Sequence, residues 1–153
     1  LLASTLATGL KMKPYLIEKV ESSTGNSRSR HVPHDQAIEV DLRPDHREAL
    51  LAGMRAALKP VTGTGRRAAN PNYDFGGKTG TAQVASAVAA GPEEERPEGL
   101  RNHAWFVGIA PVEKPEIAIV VFIEHGVGGG VAAAPVAGQL MTTYFEATEE
   151  TKR

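Results

Sequence analysis

The chain has 153 residues, 41% of them hydrophobic, and a formal net charge of -1, which suits one globular domain and leaves no room for two ordinary ones. With near-zero charge and only an Arg66-Arg67 pair in place of a basic patch, nucleic acid is excluded as the expected ligand. The absence of cysteine removes disulfides, thiolate catalysis and cysteine-ligated zinc, and no apolar run reaches the roughly 18 residues of a transmembrane helix.

Leu1 to Leu10 opens inside a helical pattern, with Leu2, Leu6 and Leu10 spaced by alanines, Gly9 as a C-cap and Pro14 soon after to prevent restart. No initiator Met and no charged-then-apolar leader stands at the start, so the chain reads as a piece of something longer. Tyr15 to Glu21 is expected as a short strand, and Ser22 to Pro33, almost all Ser, Thr, Gly, Asn and Arg, as an exposed hairpin tip or loop without chemistry. Pro44 at a first helical position opens a helix over Asp45 to Leu58, with Leu50, Leu51, Met54, Ala57 and Leu58 on its apolar face. Its early Asp45 and Glu48 and late Arg55 and Lys59 follow the helix dipole. Pro60 ends it, and Val61-Thr62-Gly63-Thr64-Gly65 makes a tight turn.

Residues Lys78 to Val84 alternate Thr79, Thr81 and Gln83 with Gly80, Ala82 and Val84, the period of a strand. Residues 85–101, with Gly91-Pro92-Glu93-Glu94-Glu95-Arg96-Pro97, are expected as a solvated, flexible loop whose acidic run is a solvent face or, less simply, a docking surface. His103 to Ala110 and Ile117 to Ile123 are strands, joined through Pro111 to Glu116 as a hairpin. The second is apolar on both faces and so is expected as a central strand covered on both sides. A glycine loop, Gly126 to Gly130, then leads into a closing helix from Ala132 to Glu146, with Val136, Leu140, Met141 and Tyr144 on one face. Helix, three antiparallel strands and helix make an α+β chain with no internal repeat.

The run Gly76-Gly77-Lys78-Thr79-Gly80-Thr81-Ala82-Gln83 carries the strongest chemical signal, a cation and two hydroxyls among permissive glycines, suited to an anionic, acyl-bearing substrate. A phosphate loop would need glycine where Asn72 stands and a helix directly after the Gly-Lys-Thr; neither condition is met. On a strand, Thr79, Thr81 and Gln83 share one face and Lys78, Gly80 and Ala82 the other. Alone, a Lys-Thr-Gly triplet is as readily a turn and an exposed edge; the flanking glycines and the partner strand Trp105-Phe106-Val107-Gly108 favour a site, since glycine within a strand marks close approach to the backbone. His31 and His34, at i, i+3 in the loop-like segment, lack further ligands for zinc and read as solvated. His103 beside Asn102 is an orienting group or a plain strand-end residue, and His125 is structural. The Gly126 to Gly130 run either binds an anion at the following helix or lets the chain turn sharply. No Ser-x-x-Lys and no Ser-x-Asn occurs, so a nucleophile with its own base is missing from this stretch.

Met54 with Val61-Thr62-Gly63-Thr64-Gly65, then Gly77-Lys78-Thr79-Gly80-Thr81-Ala82-Gln83-Val84, then Asn102-His103-Ala104-Trp105-Phe106-Val107-Gly108-Ile109-Ala110-Pro111 resembles the C-terminal part of the transpeptidase domain of class B penicillin-binding proteins. Leu100 to Phe106 and Glu124-His125-Gly126 look most like the elongation-type branch, the penicillin-binding protein 2 group. The resemblance implies a penicillin-binding and β-lactamase-like fold, a five-stranded sheet between helical layers, of which residues 1–153 supply three strands and the closing helix. It implies a serine-type D,D-transpeptidase that crosslinks peptidoglycan stem peptides, is intercepted by β-lactam antibiotics, uses no cofactor or metal, and works at the periplasmic face of the bacterial inner membrane beside a membrane glycosyltransferase. By this likeness Lys78 matches the motif lysine, Thr79 and Thr81 the hydroxyls that bind the terminal carboxylate, the Thr81 N–H the second oxyanion donor, and Gly80 a position where a side chain would crowd the substrate. The acylated serine, its lysine partner, the Ser-x-Asn motif and a membrane anchor are expected before Leu1. A D,D-carboxypeptidase or β-lactamase relative, and a non-catalytic penicillin-recognising sensor or scaffold, remain the alternatives.

Overall fold

A computed structural model describes residues 1–14, 17, 19–20, 30–31, 37–84 and 91–151. Helix α1 (Leu2–Thr8) ends where Gly9 turns left-handed at φ 74° and returns its N–H to the Thr5 carbonyl at 2.8 Å, a conformation that glycine adopts without steric cost. Strand β1 (Leu10–Met12) then pairs antiparallel with β4 (Ala37–Glu39), and β2 (Lys19–Val20) pairs with β3 (Arg30–His31). The second pairing brackets the segment expected as a hairpin tip, most of which lies outside the described residues. Helix α2 (Pro44–Ala56) starts with Pro44 in its first turn and buries Leu51 and Met54.

The main sheet is β5 (Gly76–Ala82), β6 (His103–Ala110) and β7 (Ile117–Ile123), antiparallel in that spatial order. One face of β6 sends Ala104, Phe106 and Ala110 into a core shared with α3 (Ala134–Thr151), the 3-10 turn at Arg66–Ala68, and Phe75. The other sends Ile109, with Val107, against Ala3 of α1 and Leu51 and Met54 of α2. The sheet is thus sandwiched, with α3 on one side and α1 and α2 on the other. Tyr73, Phe75 and Phe145 stack with centroids 5.2 to 6.0 Å apart and close the first core at one end.

Five expectations are corrected. β5 runs over Gly76–Ala82 rather than the expected Lys78 to Val84, because Gly76 and Gly77 pair with Ile109 and Gly108 and make room for large neighbours, while pairing with β6 ends at Ala82 opposite His103. β7 is not covered on both sides: it is an edge strand among the described residues, and Val120 and Phe122 remain 54% and 47% exposed. The buried stripe of α3 is Ala134, Ala137, Gly138, Met141 and Phe145, while Val136, Leu140 and Tyr144 face outward. Small residues let this helix approach closely: a Cβ on Gly138 would stand 2.7 Å from the Ala68 Cα. Likewise Leu50, expected inside, is 47% exposed beside the groove described below. The fifth concerns the acidic run. Residues 85–90 lie outside the described residues, but Glu93–Glu95 and Glu98–Leu100 form two 3-10 turns, and Glu93 points inward onto Arg96 and Asn102 rather than into solvent.

Candidate functional site

Strand β5 sets the geometry. Its side chains alternate, so Gly77, Thr79 and Thr81 face the α3 side while Gly76, Lys78 and Gly80 face α1 and α2. A Cβ on Gly77 would meet the Phe106 ring and one on Gly76 would meet Val112 and Met54, on the two opposite faces.

On the Thr79 side two glycine-punctuated loops converge. The turn after α2 is held by the Gly65 N–H on the Ala57 carbonyl at 2.8 Å and the Gly63 N–H on Lys59 O at 2.9 Å. It delivers Thr64, whose Oγ1 accepts the Thr79 hydroxyl at 3.0 Å. The Gly128–Gly130 segment arrives from the other direction. A Cβ on Gly129 would stand 2.6 Å from Gly80 O and 2.2 Å from Trp105 O, and one on Gly130 would stand 2.3 Å from Thr64 O. Only a chain without side chains fits so closely against the strand backbone. Gly128 lies beside the Thr81 hydroxyl, with its hypothetical Cβ 3.9 Å away. Thr79 is thus bonded to Thr64, and Thr81 on the same face of β5 borders the Gly128–Gly130 segment, a set of hydroxyls suited to an anionic oxygen.

The Lys78 side is apolar. A groove of about 550 Å³ is walled by Leu2, Leu6, Leu50, Met54 and Trp105, with Lys78 and Gly80 on its strand side. The Lys78 ammonium bends back to the Thr79 carbonyl. Trp105 packs on Phe122 with centroids 4.5 Å apart, and a Cβ on Gly80 would stand 3.1 Å from the Trp105 Cβ, so the absence of a side chain at Gly80 lets the indole lie against the strand.

Of the histidines, His103 takes the His125 backbone N–H on Nδ1 at 3.0 Å, not a bond from Asn102. His125 in turn sets its Nδ1 3.1 Å from the Arg101 carbonyl, which can only accept, so that nitrogen carries the proton. With His125 and Val127 at φ 52° and 69°, this pair fastens a strained turn just before the glycine segment. Of the pair His31 and His34, His31 lies in β3 and His34 outside the described residues, so the suggestion is not tested. Sequence reading missed Thr64 as part of the site; its Thr-Gly-Thr-Gly setting was legible as a turn, but only the fold carries that turn to Thr79, 15 residues on.

Against known proteins, residues 2–142 match the family model described as the penicillin-binding protein transpeptidase domain. The chain is 49% identical over 85 residues to the peptidoglycan D,D-transpeptidase MrdA of Acinetobacter baumannii, which covers 52% of this chain and 12% of that protein. It superposes on Pseudomonas aeruginosa PBP2 in complex with WCK 5153 with a TM-score of 0.67 and 28% identity, over 94% of this chain and 28% of that one. On the ceftriaxone acyl-enzyme of penicillin-binding protein A from M. tuberculosis the TM-score is 0.66 at 26% identity, over 92% and 30%. The chain thus spans less than a third of the length of each of these relatives.

Proposed function

The chain belongs to the penicillin-binding protein transpeptidase domain family, and from that premise we propose that it forms the carboxylate-binding and oxyanion wall of a peptidoglycan D,D-transpeptidase. The convergence of Thr64, Thr79 and the Gly128–Gly130 segment on the strand that bears Lys78 is the observation that carries this reading. In the reaction, a serine oxygen from the rest of the protein adds to the carbonyl carbon of the penultimate D-Ala. The C–N bond to the terminal D-Ala breaks, the serine proton goes to the departing amine, and an ester remains. An amine of a neighbouring stem peptide then attacks the ester and returns a proton to the serine, closing the crosslink. β-Lactams intercept the first step because their ring amide occupies the place of the scissile bond.

This chain's residues act on charge and position. Lys78 leaves the strand on the face opposite Thr79 and Thr81, so it acts through its field rather than by sharing their contact, drawing the terminal carboxylate toward the strand and setting the potential around the serine. The Thr79 and Thr81 hydroxyls donate to that carboxylate. Thr64, bonded to Thr79, turns the donor: when it gives its own proton to Thr79, the Thr79 proton is free to point at the ligand. The Thr81 N–H stabilises the oxyanion, a donor worth about 2.7 to 4 kcal/mol in comparable sites. Gly80 leaves the strand bare where substrate lies along it. Residues 1–153 are one part of a single transpeptidase domain, working at the periplasmic face of the inner membrane.

The test is covalent labelling of the full-length protein by a fluorescent penicillin. Lys78→Ala lowers the second-order acylation rate about 100-fold or more while the melting temperature holds. A rate equal to that of the unaltered protein removes Lys78 from the site. Thr81→Val tests only the hydroxyl, since it leaves the backbone donor in place.

A further inference from the structure

Within the β5–β6 connection lies a polar cluster that the acyl-transfer chemistry leaves unused. Arg96 is only 6% exposed, and a guanidinium is buried at acceptable cost only when paired and hydrogen-bonded. Its Nη1 donates to Glu93 Oε2 at 2.5 Å and its Nε to the Gly91 carbonyl at 2.9 Å. The same carboxylate grips Asn102 twice: Oε1 accepts its backbone N–H at 2.6 Å and Oε2 its Nδ2 at 2.7 Å.

That grip fixes which way the Asn102 amide faces. An ionised carboxylate can only accept, so the NH2 group must turn to Glu93 and the amide oxygen must turn away from it. Asn102 Oδ1 consequently faces the Val84 N–H, at 3.4 Å, just beyond the end of β5, and accepts Arg96 Nη1 at the same distance of 3.4 Å. The backbone carbonyl of Asn102 meanwhile accepts the Val127 N–H at 2.9 Å. Val127, at φ 69°, leads into the Gly128–Gly130 segment that lies against Gly80 and Thr64. Asn102 therefore touches both pieces of chain that border the Thr79–Thr81 wall, and Glu93 and Arg96 together decide its orientation.

We infer that Glu93, backed by Arg96, is a positioning residue for acyl transfer, acting through Asn102 on the Val84 end of β5 and on the Val127 turn. The inference rests on the transpeptidase reading above. Neither Glu93 nor Asn102 touches substrate; they hold the wall that does. Glu93→Gln is the discriminating change, because it turns one of the two acceptor oxygens that hold Asn102 and Arg96 into an NH2 donor. Whichever way the glutamine amide turns, its NH2 faces another donor, either the Asn102 backbone N–H or Asn102 Nδ2 with Arg96 Nη1, and the two-point grip on Asn102 is broken.

In the full-length protein, Glu93→Gln and Asn102→Ala each slow acylation by a fluorescent penicillin about tenfold; Asn102→Ala leaves the melting temperature little changed, whereas Glu93→Gln lowers it by taking the counter-charge from buried Arg96. The double variant falls no further than either single one, since both act through one path. Amide hydrogen exchange at Val84 and Val127 accelerates together, while Phe106 in the centre of β6 stays protected. Unchanged acylation in both variants, or losses that multiply in the double variant, overturns the inference and leaves the transpeptidase reading standing. If the unaltered protein takes no label, that reading fails instead. Should it take no label, or should a variant not fold, exchange in the unaltered protein decides the clamp: protected Val84 and Val127 amides sustain it, and unprotected ones overturn it.

Discussion

A Cβ built on Gly77 would stand 2.2 Å from the Phe106 Cζ and 2.9 Å from the Val107 carbonyl oxygen. Phe106 is fully buried, and the tip of its ring reaches β5 because nothing projects from Gly77. The strand that carries Lys78 and Thr79 is therefore seated on an aromatic ring through a glycine. Gly77→Ala in the full protein lowers stability by about 3 kcal/mol, the upper part of the overpacking range, because the ring and a backbone carbonyl must both move. Chemical denaturation measures this, and a loss below the error of extrapolation would mean that β5 shifts without cost. The residue scale is also where sequence reading was most uneven. Lys78, Thr79, Gly80 and Thr81 could be singled out from their letters, since a cation and hydroxyls among glycines have few structural uses together. Thr64 could not, because a hydroxyl in a turn has many uses and its partner is chosen by the fold.

Asp74 shows how separate elements are tied into one frame. Its carboxylate accepts Arg55 Nε at 2.9 Å and Nη2 at 2.5 Å from α2, and the Val112 N–H at 3.2 Å from the turn after β6. The Arg55 hydrogen bonds hold its proton affinity below the usual carboxylate range, with the Arg55 charge and the Val112 N–H adding to this against some desolvation. A carboxylate whose folded pKa is depressed stabilises the fold in full above its unfolded value of about 3.9, and this is lost as pH falls through the folded value. Asp74→Asn should thus cost about 1 kcal/mol at pH 7, a figure kept small because the pair is partly exposed and screened. The difference shrinks in acid below about pH 4 and vanishes once Asp74 itself is protonated. Urea midpoints for both proteins across that range check the sign; a gap that widens in acid contradicts it. At this scale the long strands were legible, because β6 and β7 carry runs of apolar and β-branched residues over eight and seven positions. The face of α3 was not. Hydrophobicity picks Val136, Leu140 and Tyr144, whereas close approach picks Ala137 and Gly138, and the packing of Gly138 on Ala68 wins. The pairing of β1 with β4 was missed as well, for three exposed residues in each strand leave no buried periodicity to read.

For the molecule as a whole, the apolar surface left uncovered is the most informative quantity. The outer edge of β7 has no neighbour among the described residues, Val120 and Phe122 stand beside it half exposed, and Leu50 and Leu2 line an open groove next to Lys78. An unpaired strand edge next to apolar side chains is a template for further pairing. The family to which the chain belongs offers a specific reason, since this chain spans 12% of the MrdA relative and less than a third of the superposed structures. On the proposed reading, the rest of the transpeptidase domain covers the groove, extends the sheet beyond β7 and brings the serine to Lys78. The isolated stretch from Leu1 to Arg153 should then self-associate as its concentration rises, and take no covalent label from a fluorescent penicillin. Joined to the portion that completes the domain, it should become monomeric, and the β7 amides should exchange slowly with solvent. Light scattering and amide exchange on the two proteins decide the matter. A monodisperse, monomeric isolated stretch with protected β7 amides would mean that this sheet is complete with three strands and that the exposed apolar faces serve some other contact.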